Sequence, residues 1–315
     1  MNDDLWLHAA IQLADRARGT SAPNPAVGAV VIRDGLLVGE GWTQPYGGNH
    51  AEVEALQRSG ERARGGTLYV SLEPCSHYGQ TPPCTDAIIA AGISRVVIAA
   101  LDPTDRVDGV RTLRQAGVAV EVRELPAARA QNEAWMTWAT KGRPFVTLKL
   151  AATLDGRVTV PGRRWVTGEE SRRRVHELRA ASDAVAVGMG TVRADAPRLD
   201  ARDVAAVRQP RRLAFGRGPL PEGSELELRT GTTHDELAQL AHEGVQSLLL
   251  EGGPTIAASF VKDGLVDRLV VFVAPVLAGG GRATLGPIPM PLDVGPLRAE
   301  PCGNDVILTA DVGQQ

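Results

Sequence analysis

Cysteine is scarce in this sequence: only three occur among 315 residues, and three is an odd number. So few cysteines exclude a disulfide framework and favour a reducing compartment, where thiols stay free. The first residues lack the basic and apolar segments of a secretory signal. The longest apolar run, residues 269–278, is far shorter than the ~18 residues that span a bilayer. We therefore expect a cytoplasmic protein without a membrane partner.

A large excess of charge is also missing. The formal net charge is −3, which provides no general attraction to nucleic acids or to anionic membranes. The hydrophobic fraction of 43% and the charged fraction of 23% are those of an ordinary globular protein, and the length is sufficient for two domains. We predict no nucleic-acid partner and a small-molecule ligand instead.

One split motif carries recognisable chemistry. His50-Ala51-Glu52 opens a helical segment, and Cys75 and Cys84 follow an apolar strand. One imidazole and two thiolates suit a catalytic zinc ion whose fourth position is open to water, and Glu52 is placed to move protons to and from that water. The order His-x-Glu, Pro-Cys, Cys is typical of zinc deaminases. We predict one zinc per chain, held by His50, Cys75 and Cys84, with Glu52 as the catalytic residue.

His77, between the two cysteines, leaves one alternative open. As a fourth protein ligand it would close the site and make the zinc structural, whereas as a substrate contact it would leave the site catalytic. We favour a substrate contact or an anchor of the loop between the cysteines. Asn24 is a second candidate for binding substrate, because the prolines on both sides of it hold it in a rigid turn.

Hydrophobic periodicity predicts two α/β halves. The first half has strands expected at 26–32, 36–42, 67–72, 95–101 and 118–122, and helices at 4–18, 50–63, 83–91 and 124–140. The stretch 140–144 is a plausible linker. Behind it, strands are expected at 145–150, 183–187, 211–215, 245–251, 266–274 and 305–310, helices at 171–181 and 253–262, and a loop-rich region at 200–231. We predict domains at 1–141 and 142–315.

Longer stretches around these motifs resemble one known family. In the first half they are residues 23–30, 47–53 and 73–84, the last with eight residues between the cysteines. In the second half they are residues 142–157, 165–168, 188–195 and 250–255. Over nearly its whole length the chain resembles the bifunctional deaminase/reductases of riboflavin biosynthesis. The resemblance implies a cytidine-deaminase-like α/β/α domain followed by a dihydrofolate-reductase-like α/β domain.

The resemblance also implies two reactions and a second cofactor. The first domain would deaminate 2,5-diamino-6-ribosylamino-4(3H)-pyrimidinone 5′-phosphate with zinc. The second would reduce 5-amino-6-(5-phosphoribosylamino)uracil to its ribityl form with NADPH. Residues along NADPH would be Ala151, Trp165, Thr191, Asp195, Gly253, Pro254, Thr255, Ile256, Ala257, Ala258 and Ser259. Residues at the two substrate sites would be Asn24, His77, Lys149, Arg163, Arg179, Leu199, Arg202 and Glu251.

Several positions depart from the family pattern. Arg163 stands where the family usually has a serine, Glu54 replaces a common histidine, and only Gly109 remains of a Gly-x-Gly turn. Three hypotheses therefore stay open: the bifunctional enzyme, a deaminase whose second domain is inactive or acts on another substrate, and a non-catalytic binding protein on a deaminase scaffold. The family further implies a homodimer through the second domain. The apolar run at 269–276 would then be a buried strand or a strand at the dimer edge.

Overall fold

Two separate β-sheets organise the chain in the computed structural model, which describes residues 2–313. The chain divides into two compact units, one up to Lys141 and the other from Gly142 onward. Each unit has its own apolar core. Within the described residues, no helix is long and apolar enough to cross a membrane.

The first unit is a five-stranded mixed sheet with flanking helices. Its strand order is β2-β1-β3-β4-β5, where β1 runs antiparallel to β2 and β3, and β3, β4 and β5 run parallel. The elements are α1 (Asp3–Ala14), β1 (Gly28–Arg33), β2 (Leu36–Trp42), α2 (Ala51–Ser59), β3 (Thr67–Val70), α3 (Cys84–Ala90), β4 (Arg95–Ile98), α4 (Gly109–Gln115), β5 (Ala119–Val122) and α5 (Pro126–Lys141). Short 3₁₀ turns, Asp15–Ala17 and Gly60–Ala63, follow α1 and α2.

Packing of α2 onto the sheet fixes where the split motif lies. A Cβ added at Gly41 of β2 would lie 2.4 Å from the carbonyl oxygen of Ala51, so only glycine permits this approach. The strands β1, β3 and β4 are almost wholly buried in the core. The start of α2 is therefore held against a rigid sheet, at the edge where β3 ends and the Pro74-Cys75 segment begins.

The second unit is an eight-stranded sheet with order β12-β13-β11-β6-β10-β7-β8-β9. Its strands from β11 to β9 run parallel, and β13 is antiparallel to β11 and β12. The elements are β6 (Phe145–Thr153), α6 (Glu169–Ala180), β7 (Ala184–Gly188), α7 (Met189–Asp195), β8 (Arg211–Phe215), β9 (Glu227–Arg229), α8 (Thr233–His242), β10 (Ser247–Leu250), α9 (Pro254–Lys262), β11 (Arg268–Ala274), β12 (Arg298–Cys302) and β13 (Asp305–Asp311).

The structure settles the alternatives for the apolar run at 269–276. Strand β11 lies between β13 and β6 in the sheet, so it is an interior strand, and a position at a dimer edge was the wrong alternative. Its apolar residues alternate between two apolar cores, with Leu269 and Val271 in one and Val270 and Phe272 in the other. The outermost strand on that side is β12, which the sequence pattern did not predict. The predicted linker is also shorter than expected, because α5 continues to Lys141.

Candidate functional site

The three predicted zinc ligands meet in the first unit. His50 is the residue immediately before α2, with extended backbone angles, Cys75 follows β3, and Cys84 is the first residue of α3. The His50 Nδ1 atom lies 3.5 Å from Cys75 Sγ and 3.3 Å from Cys84 Sγ. All three potential ligand atoms lie within 4.8 Å of one another.

These separations fit a tetrahedral zinc site. Zinc–nitrogen bonds of about 2.0 Å and zinc–sulfur bonds of about 2.3 Å place the nitrogen and sulfur ligand atoms about 3.5 Å apart at the tetrahedral angle. Among residues 2–313, this group is the one set of His, Cys, Asp and Glu ligands close enough to hold a metal ion. His77 is not part of it, so the set offers three protein ligands and resembles the open arrangement of catalytic zinc.

Glu52 is buried beside this ligand set, in the first turn of α2. It is 3% exposed, and its carboxyl group is within hydrogen-bonding range of Cys84. Burial, followed by the negative charge on Cys75, raises the pKa of Glu52 to about 7. His50 and Glu52 are two residues apart, and both face the site because His50 precedes the helix while Glu52 lies within its first turn.

The two cysteines interact directly. A hydrogen bond from Cys84, together with His50, lowers the pKa of Cys75, while the same hydrogen bond and burial raise the pKa of Cys84. The backbone N–H of Cys84 also donates to Cys75 Sγ at 3.3 Å. Binding of a divalent cation would release the thiol protons of this pair, since both ligands bind metal as thiolates.

A small cavity of about 90 Å³ opens next to the ligands. It contains both predicted substrate contacts of this unit, Asn24 and His77. Gln80 lines it as well and donates to the Tyr46 hydroxyl at 3.0 Å, which links the inter-cysteine loop to the segment before α2. Sequence reasoning did not select Tyr46 or Gln80, because neither carries chemistry that distinguishes it from an ordinary loop residue.

Glu73 is a further residue that sequence reasoning missed. Its carboxylate accepts from the backbone N–H groups of Asp102 at 3.3 Å and Val110 at 2.9 Å. A Cβ added at Gly109 would lie 2.1 Å from the carbonyl oxygen of Pro74. The loop before α4 is therefore clamped onto Glu73-Pro74, which holds the following Cys75 in place. The sequence signal that could have identified Glu73 is its position two residues before Cys75.

The departure at Glu54 is explained by its contacts. Its carboxylate accepts from Asn49 Nδ2 at 3.0 Å and from the Arg58 guanidinium at 3.2 Å. Glu54 therefore supports the turn before His50 from the far side of α2 and does not take part in the ligand set.

In the second unit, three of the predicted substrate residues form a mostly buried ionic cluster. Arg179 donates two hydrogen bonds to the carboxylate of Glu251, at 2.6 and 3.1 Å, and Lys149 Nζ lies 3.8 Å from the same carboxylate. Their side chains are between 8% and 16% exposed. Burial lowers the pKa of Lys149. Burial would raise the pKa of Glu251, but Lys149 and Arg179 outweigh it, so that pKa is lowered.

Two further predicted substrate residues lie next to this cluster. The carbonyl oxygen of Asp200 accepts from Arg179 at 3.0 Å, which connects the cluster to the turn containing Leu199 and Arg202. Leu199 is buried with a positive φ of 56°, and Arg202 is paired with the Asp200 carboxylate. Arg163 lies elsewhere, exposed at the end of a turn in which its N–H donates to the Val160 carbonyl at 3.1 Å. Within residues 2–313, no hydrogen bond or ion pair joins Arg163 to the cluster.

The predicted cofactor residues fall into two groups. Thr191 and Asp195 lie on α7, and the stretch from Gly253 to Ser259 forms the start and middle of α9. Thr191 Oγ1 is 3.1 Å from the position of a Cβ added at Gly253, so these two segments are adjacent. Ala257 and Ala258 are buried in the core, which leaves the first turn of α9 as its exposed portion.

Ala151 and Trp165 are separated from those helices in sequence. Ala151 lies on β6 opposite Phe272 of β11. Trp165 is 54% exposed, with the guanidinium groups of Arg164 and Arg172 lying 5.1 and 5.5 Å from its ring centroid. Such an exposed, positively flanked aromatic ring is suited to stacking on an electron-rich planar ligand.

Two family models match this chain. Residues 1–100 match the cytidine and deoxycytidylate deaminase zinc-binding region, and residues 144–308 match the RibD C-terminal domain. The expected fold class, a deaminase-like domain followed by a reductase domain, is therefore confirmed. The hypothesis of a bifunctional enzyme is confirmed as well.

Characterised relatives resemble the chain over most of its length. The riboflavin biosynthesis protein RibD of Aquifex aeolicus is 40% identical, covering 97% of each chain, and that of Escherichia coli is 36% identical, covering 92% of each. The solved structure of Acinetobacter baumannii RibD, form 1, superimposes with a TM-score of 0.90 at 33% identity over 99% of each chain. A deaminase/reductase from Thermotoga maritima gives 0.87 at 32% identity, again over 99% of each. The chain belongs to the RibD family, the bifunctional deaminase/reductases of riboflavin biosynthesis.

Proposed function

We propose that the chain carries out two consecutive reactions on one phosphorylated pyrimidine. The first is the hydrolytic deamination of 2,5-diamino-6-ribosylamino-4(3H)-pyrimidinone 5′-phosphate. The second is the reduction of 5-amino-6-(5-phosphoribosylamino)uracil by NADPH. The Thermotoga maritima relative is named for this deaminase and this reductase. The observation that carries the proposal is the gathering of His50, Cys75 and Cys84 beside the buried Glu52.

Deamination requires a proton to move from water to the departing amine. Water adds to the ring carbon that bears the amine, a carbon–oxygen bond forms, and the carbon–nitrogen bond breaks to release ammonia. Zinc held by His50, Cys75 and Cys84 would supply the nucleophile, since it lowers the pKa of water to about 7. Glu52 would accept one proton of the water and deliver it to the ring nitrogen, and would then pass the second proton, from the added hydroxyl group, to the departing amine. Its burial keeps bulk water from intercepting these protons.

The substrate of the first site would lie in the cavity beside the ligands. Asn24 offers an amide that can both donate to and accept from the pyrimidine ring, and its turn is anchored by a backbone bond from Asn24 N–H to the Ser21 carbonyl at 2.9 Å. His77 lines the opposite loop of the same cavity. These two side chains would orient the ring so that its amine-bearing carbon faces Glu52.

The second reaction transfers a hydride to the ribosyl group and requires one proton. NADPH would supply the hydride, and the protein would orient the reacting groups. The cluster of Lys149, Arg179 and Glu251 would line the substrate, together with Leu199, Arg202 and Arg163. Arg179 and Arg202 suit the 5′-phosphate because a guanidinium binds phosphate through two parallel hydrogen bonds.

The cofactor would lie along the adjacent starts of α7 and α9. Glycine at 253 lets the backbone approach an anion, and the first turn of the nine-residue α9 presents N–H groups to the diphosphate. Thr191, Asp195 and residues Pro254 to Ser259 would hold it, together with Ala151 and Trp165. The fit rests on the approach of Thr191 to Gly253 described above.

A coupled assay read by mass tests both reactions at once. The purified chain is given the diaminopyrimidine phosphate with and without NADPH. We expect replacement of one amine by oxygen in both samples, and the addition of two hydrogens only with NADPH. Deamination without any reduction would contradict the proposed second reaction, and a lack of ammonia release would contradict the proposed first reaction.

We further propose a cytoplasmic homodimer that forms through the second unit. Thiolate ligands need a reducing compartment to remain available for metal. The long segment between β11 and β12 exposes apolar side chains, among them Leu277, Met290 and Leu297, and a contact between subunits would cover them. Light scattering after size exclusion should give twice the chain mass. A single-chain mass at micromolar concentration would contradict it.

A further inference from the structure

A strap of residues 276–286 crosses the carboxyl edge of the second sheet. It begins just after β11, whose last residue, Ala274, pairs with Thr153 at the end of β6. At its far end, the Gly286 N–H donates to the Pro254 carbonyl oxygen in the first turn of α9 at 3.1 Å, and a Cβ added at Gly286 would lie 3.0 Å from that oxygen. The strap therefore connects the end of β11 to the start of α9, where the cofactor is proposed to lie.

The loop after β6 runs along this strap. The Gly156 carbonyl oxygen accepts from the N–H and from the hydroxyl group of Thr284, at 3.1 and 2.8 Å. The Val158 N–H donates to the Arg282 carbonyl oxygen at 3.0 Å. The same loop continues toward Trp165, one of the predicted cofactor contacts. The strap is thus hydrogen-bonded to a segment from each of the two groups of predicted cofactor residues.

One carboxylate holds the strap at its β11 end. Asp155 accepts from the backbone N–H of Ala278 at 3.0 Å through one oxygen and from that of Gly279 at 2.8 Å through the other. The Thr153 hydroxyl group orients this carboxylate by donating to it at 2.6 Å. The bond from Thr153, followed by the two backbone bonds, lowers the pKa of Asp155 to about 2. The carboxylate is therefore ionised at neutral pH, and both bonds to the strap are charge-assisted.

The strap needs such an anchor because its own backbone is flexible. Residues 279–281 are three consecutive glycines, and Gly279 and Gly281 have φ angles of 71° and 109°. Glycine adopts these angles readily, but it loses more conformational freedom than any other residue when it is fixed. The neighbouring Leu277 is 74% exposed, so it adds little packing. Without the carboxylate, the strap would populate open conformations, and the start of α9 would lose its contact with Gly286.

We infer that Asp155 is a positioning residue for the reductase, which holds the strap closed and thereby keeps the start of α9 in the conformation that binds the dinucleotide. The inference rests on the reductase half of the proposed function. Only molecules with a closed strap would bind, so the apparent dissociation constant rises as the closed fraction falls. By linkage, a bound dinucleotide favours the closed strap to the same extent.

Calorimetric titration with NADPH and hydrogen exchange measured by mass spectrometry test the inference on the full-length chain without turnover. Asp155→Asn keeps the size of the side chain but leaves one acceptor oxygen in place of two. We expect this variant to bind NADPH about 10-fold more weakly, which corresponds to an open strap in about nine molecules of ten. The amides of residues 276–286 should exchange faster than in the wild type. In the wild type, NADPH should slow their exchange.

The direction of the change in affinity separates the strap from a simple effect of charge. Removal of a negative charge near an anionic dinucleotide would strengthen its binding, whereas loss of the closed strap weakens it. Steady-state kinetics of the reduction give a second readout. The KM for NADPH should rise in Asp155→Asn while kcat stays close to that of the wild type, because saturating NADPH restores the closed strap.

Gly279→Ala opens the strap without changing the carboxylate. The φ of 71° is unfavourable for alanine, while a Cβ at this position meets nothing within 4 Å. This variant should show the same faster exchange in the strap and should bind NADPH about 3- to 10-fold more weakly. It tests the strap independently of the folding of Asp155→Asn.

Asp293→Asn serves as the matched control. Asp293 is exposed in the same long segment between β11 and β12, and within residues 2–313 it has no hydrogen bond or ion pair. This variant removes the same charge, so its NADPH affinity and its exchange rates should equal those of the wild type. Thermal unfolding of each variant verifies that the fold is retained.

Each other outcome contradicts the inference in a distinguishable way. If Asp155→Asn binds NADPH as tightly as the wild type or more tightly, the strap does not position the cofactor site, while the reductase proposal stands. If NADPH binding weakens without faster exchange in the strap, Asp155 acts on the cofactor directly and not through the strap. If NADPH does not bind the wild type, the inference and the reductase half of the proposed function fail together.

Discussion

At the residue scale, Glu52 should separate metal binding from catalysis. It is buried beside the ligand set without being one of the three ligands. We predict that Glu52→Gln keeps one zinc per chain but lowers ammonia release by about 10²- to 10⁴-fold, the usual contribution of a general acid or base. Zinc content is measured by mass spectrometry of the metal and ammonia by a coupled enzyme assay.

Glu54→Gln is the control for that variant. It makes the same chemical change on the same helix, but Glu54 contacts Asn49 and Arg58 instead of the ligands. Ammonia release by this variant should stay close to that of the wild type. A Glu52→Gln chain that deaminates normally would rule out Glu52 as the proton carrier, and one that loses its zinc would assign Glu52 to the metal site itself.

Gly109 should be needed for metal binding although it contacts no ligand. A Cβ at this position would lie 2.1 Å from the Pro74 carbonyl oxygen, and backbone atoms cannot yield as a flexible side chain can. We predict that Gly109→Ala displaces Pro74 and Cys75 and weakens zinc binding by about 10- to 100-fold, the range found when a group supporting a ligand is lost. Competition with a chromogenic chelator measures the affinity.

The matched control is Gly79→Ala, in the loop between the two cysteines. A Cβ there meets nothing within 4 Å, and its φ is not in the left-handed region. Its zinc affinity should therefore be unchanged. Equal affinities for the wild type and Gly109→Ala would show that the clamp onto Pro74 does not position Cys75.

At the element scale, α1 is attached to the sheet by a buried carboxylate. Asp3 accepts from Arg95 of β4 at 2.8 Å, from Arg123 after β5 at 2.9 Å and from the Tyr69 hydroxyl of β3 at 2.7 Å. These contacts, with Arg95 foremost, hold the pKa of Asp3 well below its usual range. Burial and the bond to Asp3 raise the pKa of Tyr69 to about 12.

We predict that Asp3→Asn destabilises the first unit by about 1–3 kcal/mol at pH 7, as expected for lost hydrogen bonds to charged groups. Because the folded-state pKa is depressed, the stabilisation by Asp3 is fully present above its unfolded pKa of about 3.9 and is lost as the pH falls through the folded value. The difference in the free energy of unfolding between the wild type and Asp3→Asn should therefore become smaller as the pH falls. Urea unfolding followed by tryptophan fluorescence measures it, since four of the five tryptophans, Trp6, Trp42, Trp135 and Trp138, lie in this unit.

Asp4→Asn provides the comparison from the adjacent position. Asp4 is exposed and reaches Arg123 only at 3.4 Å, so its loss should leave the unfolding curve unchanged, as is common for surface ion pairs. Equal unfolding curves for the wild type and Asp3→Asn at pH 7 would contradict the attachment of α1 through Asp3.

The elements that periodicity failed to predict had weak signals for identifiable reasons. Strand β12 is exposed along most of its length and contains Pro301, so it has no alternation of apolar and polar residues. Helix α4 has only seven residues and buries little beyond Leu113. Helix α8 did carry a signal that was overlooked: Thr232 accepts from the N–H of Asp235 at 3.2 Å, the hydrogen bond of a helix cap. The longer, buried elements were predicted because burying one face gives their apolar residues a regular spacing in the sequence.

At the scale of the whole molecule, the two sites differed in how far sequence could define them. The zinc ligands could be predicted from residue type and spacing, because few residue types bind zinc. Two of the three ligands, His50 and Cys84, also lie at helix starts. The cluster of Lys149, Arg179 and Glu251 depended on the family resemblance, because its members come from β6, α6 and the end of β10. That Arg179 and Glu251 pair with each other could not be predicted, since long-range pairing leaves no local pattern.

Because the two proposed sites lie in different units, we predict that removal of the metal affects the two reactions differently. All three ligands lie in the first unit, whereas the ionic cluster and the proposed cofactor site at the starts of α7 and α9 lie in the second. Treatment with a zinc chelator should abolish ammonia release, while NADPH oxidation with the deaminated intermediate continues at its original rate, because hydride transfer comes from the nicotinamide and not from the metal.

Tryptophan fluorescence should show that the first unit unfolds at a lower urea concentration after chelation, since metal bound only by the folded state stabilises it. Added zinc should restore both properties. Parallel loss of both reactions on chelation would show instead that the metal supports the reductase, and deamination that survives complete removal of zinc would overturn the assignment of His50, Cys75 and Cys84.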